Sequence, residues 1–227
     1  MGEATAIIVT CERDRCLADL CVAGVEKFWP GVKPMILLDT DDTTEAPLPD
    51  DIRALVRRMP VLKRVFDVPF VSPTERIYSL DSDCLIYSEP TDFSVPAYQG
   101  TPGWDAPNGI KVWHELGVEM PKIAPRFCGG MYSYLRVDFL DAKDAAIAYL
   151  RKCVEMGLHE TAYPGVVCEQ SLVAGMWRMA YPDNCLPFER YPINEPTKEQ
   201  VIFHISDRKG ELWVGTLIDE YKTGVLA

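Results

Sequence analysis

The sequence is short of several things, and each shortage excludes something. No apolar run approaches the roughly 20 residues that a membrane span requires, so any work at a membrane is expected to be peripheral. No C-x-x-C pair occurs and there are only 3 histidines, which leaves little from which to build a structural zinc site. Basic residues are outnumbered, 23 Lys and Arg against 34 Asp and Glu, for a formal net charge of -11. That balance argues against nucleic acid or an anionic membrane surface as the main partner. It leaves room for a phosphate ligand in a local pocket that opposes the global charge, above all beside a divalent cation. No secretory signal precedes the cysteines, and Cys11, Cys16, Cys21, Cys84, Cys128, Cys153, Cys168 and Cys185 fall mostly inside apolar segments. Reduced thiols and a cytoplasmic location are therefore expected.

What is present describes a globular α/β protein. At 227 residues with 48% hydrophobic and 25% charged residues, a sizeable core is attainable. Without a linker-like stretch or a repeat, one domain over 1–227 is expected. The β-branched run ATAIIVT (4–10) reads as a buried strand, and apolar positions Leu17, Leu20, Cys21, Gly24, Val25 and Phe28 give a helix over 15–28. PMILLDT closes a β-α-β unit at Asp39. Asp50 or Asp51 is placed to cap a short helix through Arg58. RIYSLDSD forms a third strand, followed by a Pro/Gly-rich excursion (89–109) expected to be irregular structure or short edge strands, of the kind that makes a lid or binding loop. GGMYSYLRV reads as a strand, 141–156 and 168–180 as helices, QVIFHI as a last strand, and the tail from Glu211 as mixed.

In open α/β sheets, ligands collect beyond the carboxyl ends of the strands, and Thr10, Asp39, Asp81 and Asp83 all fall at such ends. Asp81 and Asp83, at i and i+2, would repel one another if both stayed ionised and close. A divalent cation removes that conflict, and hard oxygen donors suit Mg2+ or Mn2+, which also bridge phosphate oxygens. A D-x-D triplet alone is common and equally caps a solvent-facing turn. His204, after VIF, reads by default as a satisfied strand-end histidine, and the upstream acids give it a second reading as a metal ligand. His114 and His159 read as surface residues. Trp104 and Trp113 flank the Pro/Gly excursion, where packing or stacking on an acceptor sugar are both open.

The segment ERIYSLDSDCLIYSEP (75–90) resembles the hydrophobic–DxD–hydrophobic segment of GT-A glycosyltransferases, especially family 8, the glycogenin and lipopolysaccharide galactosyltransferase family. Other islands extend the resemblance: AIIVTCERDRC at the front, Arg64 in LKRVF, RFCGGMYSY, VVCEQSLV, and VIFHISDRKGELW near the end. It implies a GT-A fold with a mixed, mostly parallel sheet flanked by helices in a single domain. It also implies transfer of a sugar, with retention, from a nucleotide-diphosphate donor, UDP-linked, to a glycan, lipid or protein acceptor. Residue by residue, Asp81, Asp83 and His204 would hold Mn2+ or Mg2+, the imidazole favouring Mn2+. Thr10, Arg13, Asp39, Arg64, Ser82, Cys128, Gly129 and Lys209 would line the nucleotide-sugar site. Within that set, Arg64 and Lys209 would meet phosphate, and Cys128 stands where relatives have a sugar-contacting Asn. Glu169 and Gln170 would lie beside the donor sugar as the catalytic candidates.

Two other classes remain open. A haloacid-dehalogenase-like phosphatase would use Asp81 as nucleophile and Asp83 as acid/base, although it expects a hydroxyl residue where Cys84 stands. A catalytically inactive nucleotide-sugar binder fits the departures at Cys128 and Glu169. The metal reading requires the His204 imidazole within reach of the Asp81 and Asp83 oxygens, and those oxygens not all engaged by basic side chains.

Overall fold

The computed structural model describes residues 3–39, 44–101, 106–120, 126–161, 164–181, 183–206 and 209–226. Trp104, Asp207 and the first part of the acidic turn after Asp39 (40–43) lie outside them. In chain order, β1 (Ala4–Thr10) leads into α1 (Arg15–Phe28) and β2 (Val32–Leu38), the β-α-β unit the periodicity predicts. Next come α2 (Asp50–Arg58), α3 (Lys63–Val71), β3 (Arg76–Asp81), β4 (Cys84–Ile86), β5 (Tyr98–Thr101) and α4 (Pro107–Glu115). The second half contains β6 (Arg126–Leu135), α5 (Arg136–Asp141), α6 (Lys143–Glu155), α7 (Ser171–Ala180), β7 (Ile202–His204) and α8 (Leu212–Leu226).

The main sheet has the order β2-β1-β3-β6-β5. β1 pairs in parallel with both β2 and β3, and only β6 runs against its neighbours. The sheet is therefore mixed and mostly parallel, as expected. Alternation of side chains along β1 and β3 divides the core between its two faces. Ile7, Val9 and Ile77 point into the cluster shared with α2, α3, α4, α6 and α7, where Trp113, Tyr149 and Trp177 are buried. Ala6, Ile8, Tyr78 and Leu80 point to the other face, under α1 and the small β4–β7 sheet. α8 closes that side through Val214, Tyr221 and Val225. Tyr221 reaches between α1 and β4, where its hydroxyl donates to the Ile86 carbonyl at 2.9 Å and accepts the Ile86 N–H at 3.0 Å. It fits because residue 24 is glycine: a Cβ there would lie 2.3 Å from the Tyr221 oxygen.

Several local expectations are corrected. Neither Asp50 nor Asp51 caps α2; Pro49 is the N-cap residue and both acids lie in the first turn, where the helix dipole favours them. The tail from Glu211 is helical. The 141–156 segment breaks at Ala142 between α5 and α6, and 168–180 opens with a π-helical turn, Val166–Gln170, before α7. α3 escaped detection because Lys63 through Pro69 are all buried, so no polar face marks its period. Trp113 is no stacking platform: it is 1% exposed, packs on Tyr149 and donates to the Ser171 carbonyl at 3.0 Å.

Candidate active site

The main chain gathers the polar residues before any side chain contributes. β1, β2 and β3 run in parallel, so their carboxyl ends reach one edge of the sheet, where the Asp39 N–H donates to the Thr10 carbonyl at 2.8 Å. β3 stops at Asp81, the chain turns through Ser82 and Asp83, and β4 returns to pair antiparallel with β7. That ladder sets Cys84 opposite His204 and continues as an Ile205 N–H to Asp83 carbonyl bond of 3.2 Å. β6 bulges beside them: Tyr98 faces Tyr132 while Gly100 faces Phe127, so two steps along β5 match five along β6. The additional residues include Cys128, Gly129 and Gly130, and bulges of this kind commonly re-aim groups next to active sites. Gly130 gives the His204 ring its place, because a Cβ there would come 2.0 Å from the imidazole Cε1.

Onto this frame the side chains converge. His204 Nε2 lies 3.4 Å from Asp81 Oδ2 and 3.3 Å from Asp83 Oδ1. The other oxygen of each acid meets a basic group: Asp81 Oδ1 takes the Arg64 guanidinium, and Asp83 Oδ2 takes Lys209 Nζ at 3.1 Å. Lys209 is shared with Asp14 at 2.8 Å. Arg64 also donates to the Gly129 carbonyl at 2.5 Å and lies 3.7 Å from Glu169 Oε1. On the far side of the ring, His204 Nδ1 is 3.0 Å from Gln99 Oε1. Each acid thus meets Arg64 or Lys209 on one oxygen and the His204 ring on the other, so all four oxygens face basic side chains, the arrangement named above as counting against the metal reading.

The electrostatics follow from burying these charges together. Burial disfavours the Asp81 carboxylate, but Arg64 and His204 outweigh it and hold its pKa far below the usual range. Burial would lower Arg64, yet Asp81 and Glu169 keep it firmly protonated. His204 likewise resists burial because Asp83 and Asp81 raise it well above an ordinary imidazole. Lys209 is raised by Asp83 and Asp14 against its own burial. Glu169 goes the other way: burial, reinforced by Asp81 and only partly offset by Arg64, pushes it up to about 7. Burial also raises Asp39, with Arg64 opposing.

The donor set fits a hard or borderline divalent cation. Asp83, Cys84 and His204 offer ligand atoms within 4.8 Å of one another, and Asp81 presents its own oxygen to the same imidazole nitrogen. Asp83 Oδ1 is buried and accepts no hydrogen bond; the His204 ring, its pKa raised, is its charged partner at 3.3 Å, a contact that a bound cation would have to replace. Burial raises the Cys84 thiol well up, and it donates toward the Gly130 carbonyl at 3.6 Å. Oxygen and nitrogen are therefore the ligand atoms this cluster offers.

No family model and no curated protein matches this sequence. Among solved structures, the WbbM bifunctional glycosyltransferase in its apo form is similar in fold, with a TM-score of 0.50 at 9% identity. The likeness covers 91% of this chain and 46% of that one, so the chain spans about half the length of that structure. The chain has a GT-A-like glycosyltransferase fold. Its D-x-D segment starts at the last residue of β3 and His204 ends β7, beside the edge of the sheet at which β1, β2 and β3 stop.

The expected residues divide into those the fold brings together and those it leaves at the edge. Asp81, Asp83, His204, Arg64, Glu169, Gly129 and Lys209 form one connected cluster. Cys128 joins it, its Sγ 3.7 Å from His204 Nδ1. Ser82 is buried in the turn between the two acids. Thr10 is buried at the end of β1, its hydroxyl donating to the Cys11 carbonyl at 3.2 Å. Arg13 is exposed and pairs with Asp14. The Gln170 amide donates to the Phe127 carbonyl at 2.5 Å and so braces β6. Arg64, expected at phosphate, here meets protein carboxylates and a carbonyl. Two participants, Gly130 and Gln99, had no reading from sequence, and neither did the pairing of Asp14 with Lys209. Two adjacent glycines inside a strand signalled a close approach, whereas nothing in AYQG distinguished Gln99.

Proposed function

We propose that the protein is a glycosyltransferase that moves a sugar from a nucleotide-diphosphate donor, UDP-linked, to an acceptor, with retention of configuration and with a divalent cation, Mn2+ in preference to Mg2+. The observation that supports this most directly is the approach of one imidazole nitrogen to an oxygen of each D-x-D acid, 3.4 and 3.3 Å, at the ligand-binding edge of a glycosyltransferase fold. Asp81, Asp83 and His204 would hold the cation. When bound, the cation would offset the negative charge that develops on the departing diphosphate.

The chain's own residues have separable tasks. Arg64 fixes Asp81 from behind and keeps that carboxylate ionised. Lys209, the more exposed cation with 34% of its side chain accessible, is the one able to turn toward phosphate. Glu169, with a pKa of about 7, can hold or release a proton at neutral pH beside Gly129. That suits a group close to the reacting sugar, whether it acts as a nucleophile or orients front-face attack.

A second reading has an observation of its own. Because Arg64 and Lys209 already take one oxygen of each acid, the cluster also suits a nucleotide-sugar binder that manages without a cation. For the phosphatase reading, by contrast, Asp81 would have to attack through an oxygen that here faces either Arg64 or His204. Thermal shifts with UDP-, GDP- and dTDP-sugars, with and without Mn2+, separate the first two, followed by assay of donor-sugar hydrolysis. The transferase reading expects Mn2+-dependent stabilisation by a UDP-sugar together with slow sugar release. Equal shifts with Mn2+, Mg2+ and chelator, without release, would support the binder instead.

A further inference from the structure

We infer that Gln99 is a positioning residue for the cation site, one that fixes the imidazole of His204 so that Nε2, and not Nδ1, is the atom offered to Asp81 and Asp83. The inference rests on the cation reading proposed above. Gln99 is fully buried on β5, and all three of its amide contacts are made within the protein. Its Nε2 donates to the carbonyls of Tyr191 at 3.0 Å and Pro192 at 3.1 Å. Those two acceptors settle which way the amide points, since the reverse orientation would set its oxygen against two carbonyl oxygens. Oε1 therefore faces His204 Nδ1, 3.0 Å away.

An amide oxygen only accepts, so Nδ1 must carry a proton to be held at that distance. The Cys128 thiol is the other neighbour of Nδ1, but at 3.7 Å it is the weaker claimant, and its sulfur already accepts the Gly130 N–H at 3.4 Å. With Nδ1 committed, Nε2, whose proton faces the Asp81 and Asp83 oxygens, is the nitrogen a cation would take on displacing that proton. Imidazole ligands generally donate their second N–H to an outer partner in this way, which fixes both tautomer and ring plane. The backbone strengthens the arrangement: the His204 N–H donates to the same Pro192 carbonyl at 3.0 Å, so one peptide oxygen ties Gln99 and His204 to a common reference. Gly130 supplies the wall that the ring lies against.

The test compares the parent chain with Gln99→Met, which keeps the length of the side chain and removes the acceptor. Mn2+ binding is followed by calorimetry, and pulsed EPR reads whether an imidazole nitrogen sits on the bound Mn2+. The parent should bind Mn2+ and show the nitrogen coupling. Gln99→Met should bind about 10- to 100-fold more weakly and lose or alter that coupling. If Gln99→Met matches the parent in both readouts, the role of Gln99 is overturned while the cation site stands. If the parent binds no Mn2+, or binds it without a nitrogen coupling, the site reading itself falls and this inference with it. Should Gln99→Met not fold, the 15N spectrum of the parent saturated with Mg2+ decides: a proton on Nδ1 with Nε2 unprotonated supports the assignment, and the reverse overturns it.

Discussion

At the start of β3, Tyr78 lies against Trp29 with ring centroids 4.3 Å apart, and both pack on Phe93 at 5.6 Å. The neighbouring Arg76 donates to the carbonyls of Phe93 at 3.1 Å and Ser94 at 2.7 Å. Three residues beyond Tyr78 the same strand ends at Asp81, among Arg64, His204, Asp83 and Glu169. There Arg64 Nε, Asp83 Oδ1 and Glu169 Oε1 are buried without a hydrogen bond. The first end is organised by apolar burial and satisfied donors, which is what stability alone requires. At the second end, charges of both signs are buried together, and Asp83 Oδ1 and Glu169 Oε1 meet only longer ion-pair contacts, 3.3 Å to His204 and 3.7 Å to Arg64, which offset the cost of burial less fully than hydrogen bonds would. A chain tolerates such a concentration where a ligand completes it. The two ends of one strand thus differ in kind: one is organised for stability alone, and the other buries charge at a cost to stability.

Substitutions at the two ends should break down along that division. The largest effect on binding is expected from Asp83→Asn. Removing a direct ligand should weaken Mn2+ by more than the roughly 100-fold that loss of an outer partner causes. It should also abolish Mn2+-dependent sugar release and lower the melting temperature, because His204 and Lys209 lose the charge they face; an unchanged Mn2+ isotherm would remove Asp83 from the site. Arg64→Met should be the most destabilising change at the same end. It strands the Asp81 and Glu169 carboxylates in a buried setting, at a cost of about 3–5 kcal/mol, measurable by urea denaturation. Trp29→Ala, at the other end, should cost a similar 3–5 kcal/mol through the cavity it leaves yet leave Mn2+ affinity as it was. A parallel loss of binding would show that the ends are coupled.

A smaller effect distinguishes the ends by pH. Glu169 ionises near 7 in the folded chain against an ordinary 4.5, so the folded state holds its proton longer than the unfolded state does. Its contribution to stability is therefore complete below about pH 4.5 and is lost as pH rises toward 7. Asp81, with its pKa depressed, has the opposite sign: its contribution is present above the ordinary carboxylate range and is lost on acidification. Glu169→Gln should flatten the decline between pH 4.5 and 7, by roughly 1–3 kcal/mol across that window. Denaturation midpoints at several pH values, taken without metal, would check it; parallel curves for parent and variant would overturn the assignment. The smallest effect should come from the surface pair Arg151–Asp51, exposed on both sides. Arg151→Ala there should leave both the denaturation midpoint and Mn2+ binding close to those of the parent; a clear loss in either would show that this surface pair matters.

The sequence made some parts of this molecule legible and concealed others. β1 and α1 were readable to the residue because one is a continuous apolar run and the other has a single apolar stripe. α3 was not, since burial on every side removes the polar half of the pattern. α8 was obscured by Gly215 and Gly224 and by the polar residues Thr216 and Thr223 set between its buried Val214, Tyr221 and Val225. In the site, Asp81, Asp83 and His204 were visible because acids and imidazoles are conspicuous at the ends of apolar strands. Gln99 was invisible because a neutral amide in a Pro/Gly-rich segment has no pattern to distinguish it. The pairing of Arg64 with Asp81 and Glu169 was equally hidden, because it depends on a helix that sequence reasoning did not find.

The sequence by itself determined that the chain folds as an α/β protein and that carboxylates stand where its central strands end, since periodicity and strand polarity are local properties. Only the tertiary structure decided which groups meet those carboxylates. The β4–β7 ladder carries His204 back across 121 residues to Asp83, counted as 204 less 83, and the bulge in β6 makes space for its ring. Distances between residues that far apart are set by packing and pairing of whole elements, and no local pattern encodes them.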